Sequence, residues 1–305
     1  MADRIIAIGA SAGGVETLKR VVSDLPENLA AAVLIVLHLP PFTTSYLPEI
    51  LDHAGPLPAR QAESGAPLES GRIYVAPPDH HLLVEHDRIQ LSRGPRENRN
   101  RPSIDTLFRS VSAYGDRAIG VVLSGTLDDG TVGLWEIKRR GGIAVVQDPS
   151  DALFPDMPRN AIAHVKVDFI VKLEQLGALL GTLAEQPGEA IQQKPESAAM
   201  PSNSTDFTCP ECHGALREVQ YGTAKQYACR VGHTYTGDGV IAAHSESQEN
   251  ALWTAVAYLE EGAELLDRLS DPGPDGQRFR DAAERKRRQA ALIRDVLKQF
   301  DSQLT

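Results

Sequence analysis

Methionine, tryptophan and cysteine are all scarce in this 305-residue chain (3, 2 and 3 residues), and aromatic residues together make up 5% of it. Three cysteines is an odd count and excludes the paired framework of a small secreted disulfide domain. Basic charge is also short. Thirty-one Lys and Arg stand against 41 Asp and Glu, a formal net charge of -10, so no nucleic-acid partner is expected. No apolar run reaches the roughly 20 residues of a membrane-spanning helix. The N-terminus carries Asp3 and only the short apolar run Ile5 to Ala10, unlike a secretory leader. These absences point to a cytoplasmic protein without direct membrane insertion.

What is present begins with the stretch Arg4 to Val22, RIIAIGASAGGVETLKRVV. Ile5 to Ile8 read as a buried strand, Gly9 to Gly14 as a tight turn, and Leu18, Val21 and Val22 as one face of a helix. Ser11 sits in that turn as Gly-x-Ser-x-Gly, the pattern of a nucleophile elbow, in which small neighbours expose the hydroxyl at a strand end. A phosphate or dinucleotide cradle is the competing use of such glycines. The spacing G-x-G-x-x-G and a P-loop lysine are both missing, and His38 stands at the end of the second strand, where a ribose-binding carboxylate is expected. A plain strand-to-helix turn that happens to contain a serine is the third reading.

Residues 4 to 185 alternate strand and helix patterns. Strands are expected at Val33–Leu37, Ala59–Ala62, Arg72–Ala76, Ile119–Leu123, Ile143–Val146 and Val167–Val171, with a hairpin from Leu82–Glu85 and Ile89–Leu91. A helix carrying Ile104, Leu107, Phe108 and Val111 follows Ser103 as N-cap. This alternation predicts a doubly wound, mostly parallel α/β sheet with helices on both faces. The domain plan is an α/β domain over 1–185, a flexible linker over 186–206, a small ribbon over 207–240 and a helical hairpin over 241–305. The hairpin's two apolar stripes, Leu252 to Leu269 and Phe279 to Phe300, flank Asp271 to Gly276. They must pack together, form a homodimer or dock on a partner.

A serine nucleophile needs a base, and the base an orienting carboxylate. His38 is the best base, although a lone histidine there is more often structural. Asp128 and Asp129, in Ser124-Gly-Thr-Leu-Asp-Asp-Gly130, are the candidate carboxylates, and an acidic pair before a helix also serves as a cap. The order Ser, His, Asp differs from the Ser, Asp, His of α/β-hydrolases. The local basic run Arg93, Arg96, Arg99 and Arg101 reads as a solvated loop, or as a docking surface for an acidic helix.

The blocks IGASAGG, VLHLP, RIYVAPPDHHL, NRNRPSIDTLFRSV, VVLSGTLDDGTVG and DMPRNAI resemble, in order through residues 4 to 185, the catalytic domain of the CheB-type chemotaxis methylesterases. That resemblance implies hydrolysis of glutamate γ-methyl esters on the cytoplasmic helices of methyl-accepting chemotaxis receptors, and deamidation of certain receptor glutamines. By motif it implies Ser11 as nucleophile, His38 as base and Asp129 as orienting acid, with Asp128 outside the triad and no cofactor for catalysis. The chain departs from the family at Ala12, where Thr is common, and at Thr126-Leu127, where Met-Gly is usual. The catalytic strand begins at residue 4, so the family's receiver domain, and masking of the site by its phosphorylation, are not expected within the chain. The other readings are a regulatory or binding module of a signalling complex, and an esterase acting on another protein or a small ester.

Every cysteine falls in one segment: Cys209-Pro-Glu-Cys212, sixteen residues, then Cys229-x3-His233. Three sulfurs and one imidazole on two knuckles fit closed, tetrahedral, structural zinc. His213 is a weaker alternative ligand and a redox Cys-x2-Cys the alternative chemistry. Similar ribbons accompany receiverless relatives of the resembled family.

Overall fold

A computed structural model describes residues 4–186, 202–270 and 274–301. Its first strand, β1 (Arg4–Ala10), is buried along its whole length, as its small and β-branched composition requires of a central parallel strand. The chain continues through α1 (Gly14–Ser23), β2 (Ala31–Leu37), α2 (Leu47–Ala54), β3 (Ala59–Gln61), β4 (Arg72–Val75), β5 (His81–Glu85), β6 (Arg88–Ser92) and α3 (Ile104–Val111). A 3-10 segment at Ser112–Arg117 leads to β7 (Ala118–Val122), α4 (Thr131–Arg139), β8 (Ile143–Gln147), α5 (Asp156–His164), β9 (Phe169–Val171) and α6 (Leu173–Glu185).

The main sheet has the order β3-β4-β2-β1-β7-β8-β9, and each neighbouring pair is parallel. Side chains alternate between its faces with the period of two that a strand imposes. Ile6, Ile8, Val33, Ile35, Val121 and Val145 meet α1, α2 and α6 through Leu18, Val22, Leu51, Leu176 and Leu180. Ile5, Ala7, Leu34, Val122 and Val146 meet the other layer, where Ile104, Leu107 and Phe108 of α3, Leu134 of α4 and Met157 of α5 pack beside Leu82 and Ile89 of the β5–β6 hairpin. The strand order reverses at β1: the chain winds first toward β2 and later returns to β7 on β1's other side. Ligands bind at such a switch point, beyond the carboxyl ends of the strands.

A second, antiparallel sheet follows: β10 (Ser202–Thr208), β11 (Ala215–Tyr221), β12 (Ala224–Cys229) and β13 (Thr234–Thr236). Residues 202–206, expected within the linker, instead pair with β11 at Ser202↔Val219, Asn203↔Glu218 and Ser204↔Arg217. Backbone pairing with a formed neighbour overrides their polar, low-complexity composition. Of the expected linker, residues 187–201 lie outside the described residues. The ribbon and the α/β layers form one compact unit, residues 1–240, joined by an edge-on contact of Trp135 with Tyr221 (centroids 5.8 Å apart) and a hydrogen bond between His164 and Thr223 (3.1 Å). The boundary expected at 206/207 falls inside β10, within that single unit.

A second unit begins at Ile241. It contains α7 (Gly237–Arg268) from that residue on, and α8 (Pro274–Asp301). Val256, Ala290 and Leu297 form a buried apolar cluster, flanked by Leu252, Leu259 and Ile293, and ion pairs Arg294–Glu260 and Arg287–Asp267 bridge the helices. Leu292 and Val296, expected in the buried stripe, are largely exposed. Residues 271–273, the start of the expected turn, lie outside the described residues.

Candidate active site

β1 ends at Ala10, and the next residue, Ser11, begins the turn into α1. Its N–H donates to Ser124 O (3.0 Å) and its carbonyl accepts from Gly14 N–H (2.9 Å), which fixes the turn on both sides. Gly13 completes it at φ 72°, a left-handed conformation that suits glycine. Among the described residues, the N–H groups of Ala12 and Gly13 between these two bonds meet no acceptor. They are the free donors a helix N-terminus offers an anion. Gly125 lets the loop after β7 come close: a Cβ there would lie 2.8 Å from Ser11 Cβ and 2.1 Å from Met157 Sδ.

His38 follows β2 directly, on the strand paired with β1, and its N–H donates to Ala10 O (3.3 Å). Its Nδ1 is 3.1 Å from Ser11 Oγ and its Nε2 2.8 Å from Asp129 Oδ2. A carboxylate only accepts, so Nε2 carries hydrogen and donates, leaving the Nδ1 lone pair to accept the serine O–H. The ring is turned relative to the serine proteases, whose Nε2 faces the serine, but the connectivity is the same. Asp128, the other candidate carboxylate, faces away from His38 and accepts from the Thr236 hydroxyl.

Asp129 is 2% exposed and is surrounded by donors. Besides His38, its oxygens accept from Asn98 Nδ2 (2.8 Å), Ser103 Oγ (3.0 Å), Ile104 N–H (2.8 Å) and Asp105 N–H (3.1 Å). The last two are the first N–H groups of α3, so the carboxylate caps that helix and benefits from its dipole. Burial pushes Asp129 upward, yet these bonds, led by that from His38, outweigh it and hold the carboxyl below its ordinary value. Ser103 occupies the N-cap position as expected, but its hydroxyl donates to Asp129 rather than capping the helix.

Three further residues, none assigned a role from the sequence, support the site. Asn98 bridges two buried carboxyls, donating to Asp105 Oδ2 (2.8 Å) as well as Asp129. Asp105 also accepts from Gly133 N–H (2.6 Å), and burial followed by the Asp129 charge raises it well above the usual carboxylate range. His81 is 3% exposed in β5. It accepts from Ser103 N–H (3.2 Å) and donates to Pro95 O (2.9 Å), and burial lowers its affinity for a proton. The motif around Ser103–Asp105 could have flagged these positions, but only the approach of distant segments assigns them partners.

Apolar side chains border the Ser11 turn. Leu153 and Phe154 come within 3.3 Å of where a Gly13 Cβ would stand, and Leu153 is 75% exposed. Phe42, in the loop that follows His38, is 94% exposed. The arginine run is partly consumed within the fold: Arg101 grips Asp79 through Nε (2.9 Å) and Nη2 (2.6 Å), and Arg93 binds the same carboxylate.

In the ribbon, Cys209, Cys212, Cys229 and His233 bring three Sγ atoms and one Nδ1 within 4.8 Å of one another. The pairs Cys212–Cys229, Cys209–His233 and Cys229–His233 are each 3.6 Å apart. A tetrahedral ion with Zn–S bonds of about 2.3 Å sets its ligands about 3.8 Å apart, so the four atoms could hold a metal ion. Glu211 Oε2 lies 3.3 Å from His233 Nε2, the outer-shell carboxylate that commonly orients a ligating imidazole. His213 is not part of the cluster.

The family model for CheB methylesterase matches residues 6–180. A Leptospira interrogans protein provisionally named a protein-glutamate methylesterase/protein-glutamine glutaminase is 42% identical over 176 residues, 57% of this chain and 91% of that one. Proteins with the same double name from Methanosarcina mazei and Yersinia pestis are 37% and 38% identical over 181 and 179 residues. Those matches cover 56% and 57% of this chain but only 49% and 51% of the relatives. The crystal structure of the Thermotoga maritima CheB methylesterase catalytic domain aligns with a TM-score of 0.57 at 29% identity, covering 60% of this chain and all of that one.

Proposed function

The chain belongs to the CheB methylesterase family, and from that premise we propose that it hydrolyses glutamyl γ-methyl esters, with Ser11, His38 and Asp129 as its triad. One observation carries the reading. A serine at a strand end hydrogen-bonds a histidine (3.1 Å), which in turn hydrogen-bonds a buried carboxylate (2.8 Å).

In the reaction Ser11 Oγ attacks the ester carbonyl while its proton passes to His38 Nδ1. Asp129 stays ionised and stabilises the imidazolium through Nε2–H. The tetrahedral oxyanion is received by the N–H groups of Ala12 and Gly13. Collapse returns the proton to the leaving methoxide, releasing methanol. Water, deprotonated by the same imidazole, then frees the glutamate and restores Ser11. A glutamine carboxamide follows the same path with ammonia as leaving group, in keeping with the glutaminase half of the relatives' names.

The substrate under this reading is a methylated chemoreceptor helix, and the apolar border of Leu153 and Phe154 beside Gly13 suits its side chains. The Cys3His cluster holds zinc in a structural role, because three thiolates and an imidazole complete its coordination and leave no open position. Sulfhydryl ligands persist in a reducing compartment. That, together with no helix among the described residues long and apolar enough to cross a membrane, supports the cytoplasm as its location.

Methanol release from methylated receptor membranes tests the assignment. Ser11→Ala is expected to lower turnover by about 10⁴- to 10⁶-fold, on the scale of serine removal in subtilisin, with circular dichroism unchanged. Release by the variant near the parent rate overturns the assignment.

A further inference from the structure

The turn Glu97–Asn100 lies between the triad and the Cys3His ribbon and is held from both sides. It is closed by Glu97 N–H to Asn100 O (3.2 Å) and Asn100 N–H to Glu97 O (2.9 Å). Asn98 and Arg99 stand at φ 50° and 68°, so the turn has the left-handed pair of a type I′ turn. Neither residue is glycine, and L-residues adopt this region in succession only where their surroundings hold them there.

The ribbon supplies that hold. Asn98 N–H donates to Thr234 O (2.7 Å), Thr236 N–H donates to Asn98 Oδ1 (3.2 Å), and Thr234 pairs with Glu97 as an isolated parallel bridge. The Thr236 hydroxyl binds Asp128, the residue before the triad aspartate. Thr234 directly follows the metal-cluster residue His233, and Tyr235 between the two contacts places its hydroxyl 3.5 Å from Cys209 Sγ. On the opposite side, the Asn98 carboxamide gives one hydrogen to Asp129 Oδ1 and the other to Asp105 Oδ2 (2.8 Å each). Asn98 is 4% exposed, with both amide hydrogens, its side-chain oxygen and its own N–H engaged.

We propose that Asn98 is a positioning residue through which metal binding in the ribbon sets the triad aspartate. The metal holds His233 and the start of β13. That strand holds the Asn98 turn in its left-handed form, and the carboxamide fixes Asp129 Oδ1 so that Oδ2 faces His38. The proposal rests on the triad and zinc readings above. Ser103 and the two helix N–H groups remain on Asp129 when Asn98 is lost, so the effect on reactivity is partial. Coupling between two sites is reciprocal, so loss of Asn98 must also loosen a metal that it does not touch.

Asn98→Gly in the full chain is the discriminating variant, since glycine accepts φ 50° without strain and only the carboxamide is removed. Ser11 reactivity is read by phosphonylation with a fluorophosphonate, in which Oγ bonds phosphorus and fluoride leaves. Metal retention is read by zinc transfer to a chromogenic chelator. Asn98→Gly is expected to lower the maximal labelling rate about tenfold with the half-saturating probe concentration unchanged, and to release zinc at least threefold faster. Zinc-stripped parent protein is expected to label as slowly as Asn98→Gly, and stripping the variant to slow it no further. Zinc release at the parent rate, or labelling of the parent indifferent to metal, overturns the coupling and leaves the triad reading intact. Absence of Ser11 labelling in the zinc-loaded parent overturns the triad reading itself.

Discussion

Leucine rarely tolerates a positive φ, because its Cβ crowds the next carbonyl, yet Leu127 stands at φ 62° in the loop that carries Asp128 and Asp129. Its carbonyl accepts from Asn160 Nδ2 (3.0 Å), one of the contacts that holds the strained turn. The resembled family commonly has glycine here. Relief of left-handed strain of about 1–2 kcal/mol, less about 0.5–1 kcal/mol of glycine's unfolded-state entropy, predicts that Leu127→Gly raises thermal stability slightly, and a calorimetric Tm below the parent's contradicts it. The neighbouring Asp128 carries a pH signature. Burial raises it from 3.8 to about 6, with Asp238 and Asp129 adding to the effect and the Thr236 hydroxyl opposing it. A carboxyl raised on folding contributes stability that is full below its unfolded value and lost as pH rises through the folded one. The Asp128 contribution therefore disappears between about pH 4 and pH 6. Asp128→Asn is expected to gain stability over the parent on passing from pH 4 to pH 7, by about 1–2 kcal/mol once water at this half-buried group is allowed for. Urea denaturation at the two pH values measures it, and an equal difference at both contradicts the assignment.

Among the elements, α3 does the most for the site. It is only eight residues long, and its value lies in its first turn, where two N–H groups meet Asp129 while Ile104, Leu107 and Phe108 anchor it in the core. A helix bound to the sheet by apolar contacts thereby serves as a fixed pair of donors. The ribbon depends on its cluster in a different way. Its four strands contribute few large buried side chains, chiefly Leu216 and Tyr235, too little apolar area for a sheet of this size to persist alone. Structural zinc binding supplies about 10–16 kcal/mol in comparable small folds. One zinc per chain is expected by elemental analysis of protein purified without chelator. Chelation is expected to open residues 202–236 to protease while Arg4–Glu185 resists. Metal-free protein with a protease-resistant ribbon would remove the zinc assignment.

At the scale of the molecule, the switch point at β1 explains why residues far apart in sequence converge. Ser11 follows β1, His38 follows β2, and Asp129 lies in the loop after β7. These strands adjoin with β1 at the centre, and a parallel sheet sends all three loops to one end. Much of this was legible beforehand. Strand and helix periodicity, the Gly-x-Ser-x-Gly turn and the cysteine spacing are local patterns, because each is a requirement of neighbouring residues on one another. The choice between Asp128 and Asp129 could be made from the sequence only by resemblance to a family, since both precede the same helix and differ only in which way the loop turns them. The ribbon's first strand was hidden, because Ser202–Asp206 has a linker's composition and becomes a strand only by pairing with β11. Asn98 was hidden more completely. It is one polar residue in a charged loop, and its hydrogen bonds reach a carboxylate 31 residues away and a threonine 138 residues away. Sequence alone determined the α/β fold class, the glycine-flanked serine turn and the cysteine and histidine spacing of the ribbon, because these follow from short-range geometry and from chemistry carried by residue type. Tertiary structure alone supplied the physical reason that Asp129 and not Asp128 reaches His38, and decided which strand grips the Asn98 turn. Both depend on burial and on directional hydrogen bonds between segments that meet only when the chain is folded.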